Sequence, residues 1–290
     1  MKYAPENSIP PSSVAPPRYQ PIKTLGEGGF GRVLLATDAL TQKQVAVKVL
    51  KATWSPTHQA RFRREVEETK KLRSHRIIKV LGDELANDPP FYVMPYLSRG
   101  SLRQYVFDLT RKQQVFTQPA ALIAAATIAE GLRIAHDAGV HHRDLKPENL
   151  LFNDAGDLVL TDFGLGEFVH RESIVLTIAG PLGTAPYCAP EQWQTGEGSA
   201  RADFFSLGMI LFEMLTGIVP QVQVNPSQCD NRIPAELDAL FWRLANPDPD
   251  QRFARCTEVL SEIDRLLIAK YQTIRPKKID WEWWKAFLFG

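Results

Sequence analysis

The run His142-Arg143-Asp144-Leu145-Lys146-Pro147-Glu148-Asn149 is followed, one short hairpin later, by Asp162-Phe163-Gly164. Asp144, Asn149 and Asp162 are oxygen donors. Hard oxygens of this kind suit a divalent cation such as Mg²⁺, which keeps several waters and shares phosphate oxygens. The hairpin between them is read from Leu150-Leu151-Phe152 and Leu158-Val159-Leu160, with turn residues over Asn153-Asp154-Ala155-Gly156-Asp157. Upstream, Gly139 closes a helix over Gln118–Ala138, in which Ala120, Ala121, Ala124, Ala125, Ala126 and Ala129 give high helix propensity and close approach to neighbours. Glu130, Arg133, His136 and Asp137 interrupt its apolar run, so it reads as a buried core helix and not as a membrane span.

Farther upstream, Tyr19 to Leu25 reads as a strand entering Gly26-Glu27-Gly28-Gly29-Phe30-Gly31-Arg32-Val33. Glycine lets the backbone turn tightly and bring N–H groups close to phosphate oxygens. A dinucleotide site would open a helix directly after such a motif. Here Arg32 to Thr37 continues as a strand, so the glycines belong to a hairpin. Gln44 to Leu50 is a mostly buried strand, and Lys48 within it requires a counter-charge. The next helix, about Thr57 to Leu72, sets Phe62, Val66, Thr69 and Leu72 near helical spacing. Glu68 lies one turn from Arg64, a surface pair. Ile77 to Leu81 and Phe91 to Met94 read as strands joined by a turn at Asn87-Asp88-Pro89-Pro90, and Ser101 as the cap of a helix reaching Phe107.

Downstream, residues 164–191 end in Gly183-Thr184-Ala185-Pro186-Tyr187-Cys188-Ala189-Pro190-Glu191. Arg201 to Gly208 then opens a strongly apolar helix ending at Thr216-Gly217. Asp203 at its start is expected to accept N–H bonds from the loop around Asp144. Pro247 to Phe253 precedes the last long helix.

The patterns H-R-D-x-x-x-x-N, D-F-G, G-x-G-x-x-G-x-V, Val45-Ala46-Val47-Lys48 and the ending at Glu191 together resemble protein Ser/Thr kinases, within them the bacterial (Hanks-type) receptor kinases, from about Tyr19 to about Lys270. The resemblance implies an α+β, bilobal fold. A small antiparallel-sheet lobe spans 19–95, a larger mainly helical lobe spans 98–270, and ATP lies in the cleft. It implies transfer of the γ-phosphoryl group to Ser or Thr hydroxyls of proteins, the chain itself in trans included. Asp144 would orient the hydroxyl, and Lys146 would neutralise charge on the γ-phosphate. A carboxylate is a weak base, but a loose phosphoryl-transfer transition state asks for positioning more than for early deprotonation. Asn149 and Asp162 would hold Mg²⁺, with Mn²⁺ as the second candidate. Lys48 would meet the α- and β-phosphates and Glu65, which sits in the family frame Arg61-Phe62-Arg63-Arg64-Glu65. Gly26, Gly28 and Gly31 would lie over the phosphates, while Val33, Ala46 and Leu151 would enclose the adenine. Met94 would be the gatekeeper. Pro95, Tyr96 and Leu97 would form the hinge, with the Leu97 N–H reading the base. Pro95 departs from the common glutamate or glutamine and would stiffen that hinge.

The same resemblance has Thr184 touching Asp144 and Lys146, and Arg252 pairing with Glu191. It makes Ser173 and Thr177 regulatory phosphosites that would order their loop against Arg143. His142, Phe163 and Cys188 read as packing residues and His141 as a surface histidine. Two rival readings demand different residues. A pseudokinase module would have lost Lys48, Asp144, Asn149 or Asp162, and all four are present. A small-molecule phosphotransferase of kinase-like fold would normally lack the ending from Gly183 to Glu191.

Composition narrows the class further. The chain of 290 residues carries 34 basic and 33 acidic residues, a net charge of +1, which offers no basic stripe for nucleic acid. Cys188, Cys229 and Cys256 show no C-x-x-C spacing, so a disulfide framework or zinc site is not expected and a reducing cytosol fits. No apolar run follows Met1, and none reaches the ~18 residues of a membrane span. Residues 1–18 are a proline-rich leader, expected to be extended. Residues 271–290 form an aromatic extension with Trp281, Trp283, Trp284, Phe287, Leu288 and Phe289. Three readings of it stay open: packing on the large lobe, docking a partner, or lying at a membrane interface. Under the last, the chain is the cytosolic part of a membrane-anchored protein.

Overall fold

Side chains along a strand point alternately to the two faces of a sheet, and this alternation sorts the first part of the chain. The computed structural model describes residues 18–28, 31–51, 56–163, 185–195, 198–220, 224–276 and 279–288. Ser173, Thr177, Thr184 and the leader over 1–17 lie outside these residues. Two compact units are present: residues up to Arg73 with Ile78–Tyr96, and Ser74–Ile77 with the residues from Leu97 onward.

In the first unit β1 (Tyr19–Gly28), β2 (Gly31–Asp38), β3 (Gln44–Leu50), β4 (Gly82–Glu84) and β5 (Phe91–Pro95) form an antiparallel sheet in the order β1-β2-β3-β5-β4. Leu34, Val47 and Val93 are in register on one face. They join Tyr19, Ala36, Val45, Val49 and Phe91 in a core. On the other face Val33, Lys48 and Tyr92 form one row, and Leu35, Ala46 and Met94 the next. Helix α1 (Pro56–Lys71) buries Phe62, Val66 and Thr69 and meets this second face at Tyr92, whose ring lies 5.6 Å from that of Phe62. A Cβ on Gly31 would stand 2.1 Å from the Val49 carbonyl oxygen, so β2 and β3 meet there only because no side chain intervenes.

The strand expected over Ile77–Leu81 does not form. Ile77 makes one parallel bridge to Leu160, and pairing with β5 begins where the Leu81 N–H donates to Val93 O at 2.8 Å. Ile77 and Ile78 are buried all the same, so their apolar character marks burial without pairing.

In the second unit α2 (Leu102–Arg111) runs one turn beyond the expected Phe107, because buried Leu109 continues the stripe of Leu102 and Val106. Its start is closed by the Ser101 N–H, which donates to Gln104 Oε1 at 2.9 Å. Helix α3 (Gln118–Asp137) is capped by Thr117 and is buried along most of its length. The hairpin β6 (Leu150–Phe152) and β7 (Leu158–Leu160) follows, then α4 (Pro190–Thr195), α5 (Ala200–Thr216), α6 (Pro226–Cys229), α7 (Ala235–Ala245), α8 (Cys256–Tyr271) and α9 (Trp281–Leu288). The core helices α3 and α5 pack on each other. Helix α8 adds to α3, and α7 to α5. In the aromatic extension Trp284 is fully buried, and its Nε1–H donates to Gly156 O at 2.8 Å. Packing on the second unit is therefore what α9 adopts.

Arg252 closes the helical unit from inside. Its side chain is wholly buried, and all five N–H donors are used. Nη1 and Nη2 donate to Glu191 at 2.6 and 2.8 Å, and the remaining three reach the carbonyls of Asn246, Arg201 and Pro247. Removing one partner of a buried pair leaves the other charge uncompensated. Arg252→Met is therefore expected to lower unfolding free energy by about 3–5 kcal/mol in chemical denaturation. Arg252→Lys should recover less than half, since an ammonium cannot reproduce the planar fork.

Candidate active site

In the first unit Lys48 and Glu65 are both buried, and the ammonium stands 3.9 Å from Glu65 Oε1. That distance is a contact of opposite charges longer than a hydrogen bond. Glu68 is engaged elsewhere, accepting from Arg64 Nε at 2.8 Å. Lys48 also lies 5.9 Å from the centre of the Tyr92 ring. Ala46 and Met94 face each other across β3 and β5, one register step from Lys48 and Tyr92. Gly26 and Gly28 lie at the end of β1, opposite Val33 and Gly31. Pro95 ends β5, and Tyr96 follows it as the last residue of this unit.

In the second unit the loop after α3 gathers the remaining candidates. Asp144 is buried, and its Oδ2 takes two partners: Lys146 Nζ at 2.8 Å and Asn149 Nδ2 at 3.1 Å. Asn149 Nδ2 also donates to the Asp144 carbonyl at 2.8 Å. The amide nitrogen of Asn149 is thus spent on the loop, leaving Oδ1 as its oxygen for a cation. Burial alone would pull the Lys146 ammonium below its ordinary value, but the carboxylates of Asp144, Glu148 and Asp162, Asp144 foremost, together outweigh this and hold it above. Thr161 donates from N and Oγ1 to the Asn149 carbonyl at 2.9 and 3.1 Å, tying the metal-ligand candidate to the residue before Asp162. Asp162 has a left-handed backbone, φ 60°. Leu151, half-buried in β6, bridges to Ser101, and Leu97 begins the longer stretch of this unit.

Arg143 also has a left-handed backbone, φ 67°, a conformation that costs a non-glycine residue about 1–3 kcal/mol unless its surroundings enforce it. Both of its peptide groups are held. Its N–H donates to Asp203 Oδ1 at 2.9 Å, and its carbonyl accepts from Gln192 Nε2 at 2.7 Å. Asp203 Oδ2 takes the His142 N–H and His136 Nε2, each at 2.8 Å. Burial pushes the Asp203 carboxyl up, but these bonds and the nearby histidines more than reverse that and hold it below the usual carboxylate range. His142 packs on Phe163 with ring centroids 4.5 Å apart, and burial keeps its pKa down. His141 is not a surface histidine: it is half-buried, with its ring 5.5 Å from that of His136. Burial raises the Cys188 thiol well above its ordinary value, in keeping with a packing role.

One network escaped the sequence reading. The Arg103 guanidinium binds Glu213 in α5, donates to Tyr187 Oη at 2.7 Å and reaches Glu148 Oε1 at 2.7 Å. The Tyr187 hydroxyl donates in turn to Glu213 Oε2 at 2.5 Å. It ties α2 and α5 to the segment before Glu191 and to the loop of Asp144. Glu213 inside an apolar helix was the available signal, because a buried carboxylate demands a cation.

Among the described residues no group of three or more His, Cys, Asp or Glu could hold a metal ion alone. A cation at Asn149 and Asp162 would take most of its ligands from phosphate and water, which is the habit of Mg²⁺. The donor set fits such an ion.

A protein kinase domain model matches residues 19–277. The probable serine/threonine-protein kinase pknA2 of Bifidobacterium longum is 35% identical over 221 residues, covering 74% of this chain and 28% of that protein. The serine/threonine-protein kinase PknB of Mycobacterium leprae is 30% identical over 270 residues, covering 86% of this chain and 43% of that protein. The chain thus spans less than half the length of these curated relatives. The crystal structure of the Mycobacterium tuberculosis PknI kinase domain superposes with a TM-score of 0.71 at 23% identity, over 89% of this chain and 99% of that one. At that identity the likeness is one of fold.

A carboxyl held below its ordinary value stabilises the fold above the unfolded carboxylate range, and that contribution disappears as pH falls through the range toward the folded value. Asp203→Asn should lower unfolding free energy at pH 7 by about 2–4 kcal/mol in urea denaturation. The gap to wild type should close as the pH is taken below about 4.

Proposed function

Since the chain belongs to the protein kinase domain family, as an ATP-dependent protein Ser/Thr kinase, we propose the following division of labour among its residues. Asp144 receives and orients the substrate hydroxyl. The observation that carries this is the unequal use of its two oxygens. Oδ2 is held by Lys146 and Asn149, and among the described residues Oδ1 takes no hydrogen bond, so it is the oxygen left for a Ser or Thr hydroxyl. Lys146, charged and already beside Asp144, offsets negative charge on the γ-phosphoryl group as it transfers. Asn149 Oδ1 and the Asp162 carboxylate hold the divalent cation, which we take to be Mg²⁺, with Mn²⁺ as a substitute. A cation so held would screen the phosphate charges.

On the first unit Lys48, steadied by Glu65, takes the α- and β-phosphates, and Gly26, Gly28 and Gly31 bring backbone close to them. Val33 and Ala46 cover the adenine and Met94 limits the depth of its pocket. Leu151 on the second unit forms the adenine floor. Tyr96 flanks the base, and the Leu97 N–H reads its edge. Thr184 would complete the hydroxyl site. The domain assignment follows the same reading: a leader over 1–18, a kinase domain over 19–270 and an extension over 271–290.

Protein substrates of the whole protein, its autophosphorylation in trans at Ser173 and Thr177, and a cytosolic position beside a membrane belong to the same proposal. Among the described residues no helix is long and apolar enough to cross a membrane.

Intact-mass analysis after incubation with Mg²⁺ and ATP tests the core of this reading. Wild type should gain phosphates that map to Ser or Thr, and Asp144→Asn should gain none while still binding nucleotide. Phosphate on Asp144→Asn at the wild-type rate would remove Asp144 from its role. The double variant Ser173→Ala, Thr177→Ala should slow phosphorylation of an added protein substrate by about tenfold or more if those sites order the loop. Unchanged activity would exclude them.

A further inference from the structure

Helix α9 starts at Trp281, beyond the residues that the kinase model matches. Its first turn is built into the β6–β7 hairpin. The Trp281 N–H donates to Ala155 O at 3.1 Å, and Trp284 Nε1–H to Gly156 O at 2.8 Å. Gly156 has φ 94°, and a Cβ there would lie 2.3 Å from Trp281 N. The turn therefore admits α9 only because residue 156 has no side chain. Phe152, the residue after Leu151, takes the edges of both indoles, with centroids at 6.2 Å for Trp281 and 5.4 Å for Trp284.

The same helix reaches the segment that follows Leu97. The Arg99 guanidinium lies 4.5 Å from the centre of the Trp281 ring, and its Nε donates to Asp154 O at 2.9 Å. Ser98 Oγ donates to Asp154 Oδ1 at 2.6 Å. Tyr105 donates from its hydroxyl to Arg99 O at 2.7 Å and sets its ring 5.5 Å from Trp281. The Phe152 N–H donates to Gly100 O at 2.9 Å, and Leu151 bridges to Ser101. Residues 98–101, the hairpin turn and α9 thus close into one ring of contacts. Arg275 anchors the approach to α9, binding Asp264 in α8 and Glu130 in α3.

We infer that α9 is a brace for the adenine side of the nucleotide site, with Trp281 and Trp284 as positioning residues that act through Leu151 and the segment after Leu97. The inference rests on the proposed roles of Leu97 and Leu151. The loop of Asp144 and Asn149 has its own anchors in Asp203, Gln192 and Thr161. Loss of the brace therefore loosens base binding, whose ordering cost rises, and leaves the transfer step intact.

The test uses the full chain, with binding of the fluorescent analogue mant-ATP and turnover on casein as separate readouts. Trp281→Ala should raise the mant-ATP Kd and the KM for ATP by about three- to tenfold, with kcat within about twofold. Trp281→Phe, which keeps an aromatic ring, should stay within about twofold of wild type in both. Arg99→Met keeps the apolar stem but loses the cation and its bond to Asp154, and should shift Kd in the same direction by a smaller factor. The inference is overturned if Trp281→Ala and Arg99→Met bind mant-ATP like wild type. It is also overturned if binding and kcat fall together in step with the folded fraction from thermal melts. Should Trp281→Ala not fold, Arg99→Met decides alone. Leu151→Ala separates the two levels. An unchanged Kd there sinks the adenine-floor reading itself, whereas a raised Kd beside unaffected Trp281 and Arg99 variants sinks the brace alone.

Discussion

Asp203 is fully buried at the first turn of α5, and it accepts from the backbone N–H groups of His142 and Arg143 and from His136. A carboxylate so far from water survives as an anion only when its oxygens are saturated with donors. Here the donors come from α3 and from the loop of Asp144, so the packing of α3 on α5 also sets the place of that loop. The left-handed Arg143 follows from the same constraint, because both of its peptide groups are occupied at once. Asp144 then emerges from a backbone that has little freedom to turn.

The other buried charges obey the same rule. Arg252 spends every donor, Glu213 meets Arg103 and Tyr187, and Lys48 faces Glu65. Each joins segments distant in sequence, and each would be costly to leave half-made. Apolar burial makes the two units compact, whereas these ions specify which loop ends where.

Much of this was legible in the chain itself. The mostly apolar run Gln44–Leu50 and the polar turn before Phe91 mark the sheet in the sequence, and the hairpin around Asn153–Asp157 appears where its turn residues stand. An acid at the start of an apolar helix marks Asp203 as a carboxylate in need of donors, and Glu213 inside the same helix carries the same signal without naming Arg103. Three features could not be read. Ile77 and Ile78 are apolar because they are buried, and apolarity alone does not distinguish a paired strand from a covered loop. His141 shares its surroundings with His136 through tertiary packing that local spacing does not encode. The seat of α9 depends on Gly156, whose missing Cβ matters only once Trp281 is known to lie against it.

Helix α3 is rich in buried alanine. Alanine gives up no side-chain rotamers on burial and is the best helix former, so ordering this segment costs little beyond its backbone. Its buried stretch from Ala120 to Ala129 holds six alanines against Leu122, Ile123, Thr127 and Ile128. Contacts within a helix are also local in sequence, and local contacts close before distant ones. The element against which α5 and α8 pack is therefore the one whose ordering gives up the least side-chain freedom, so the centre of the unit is built from its shortest side chains.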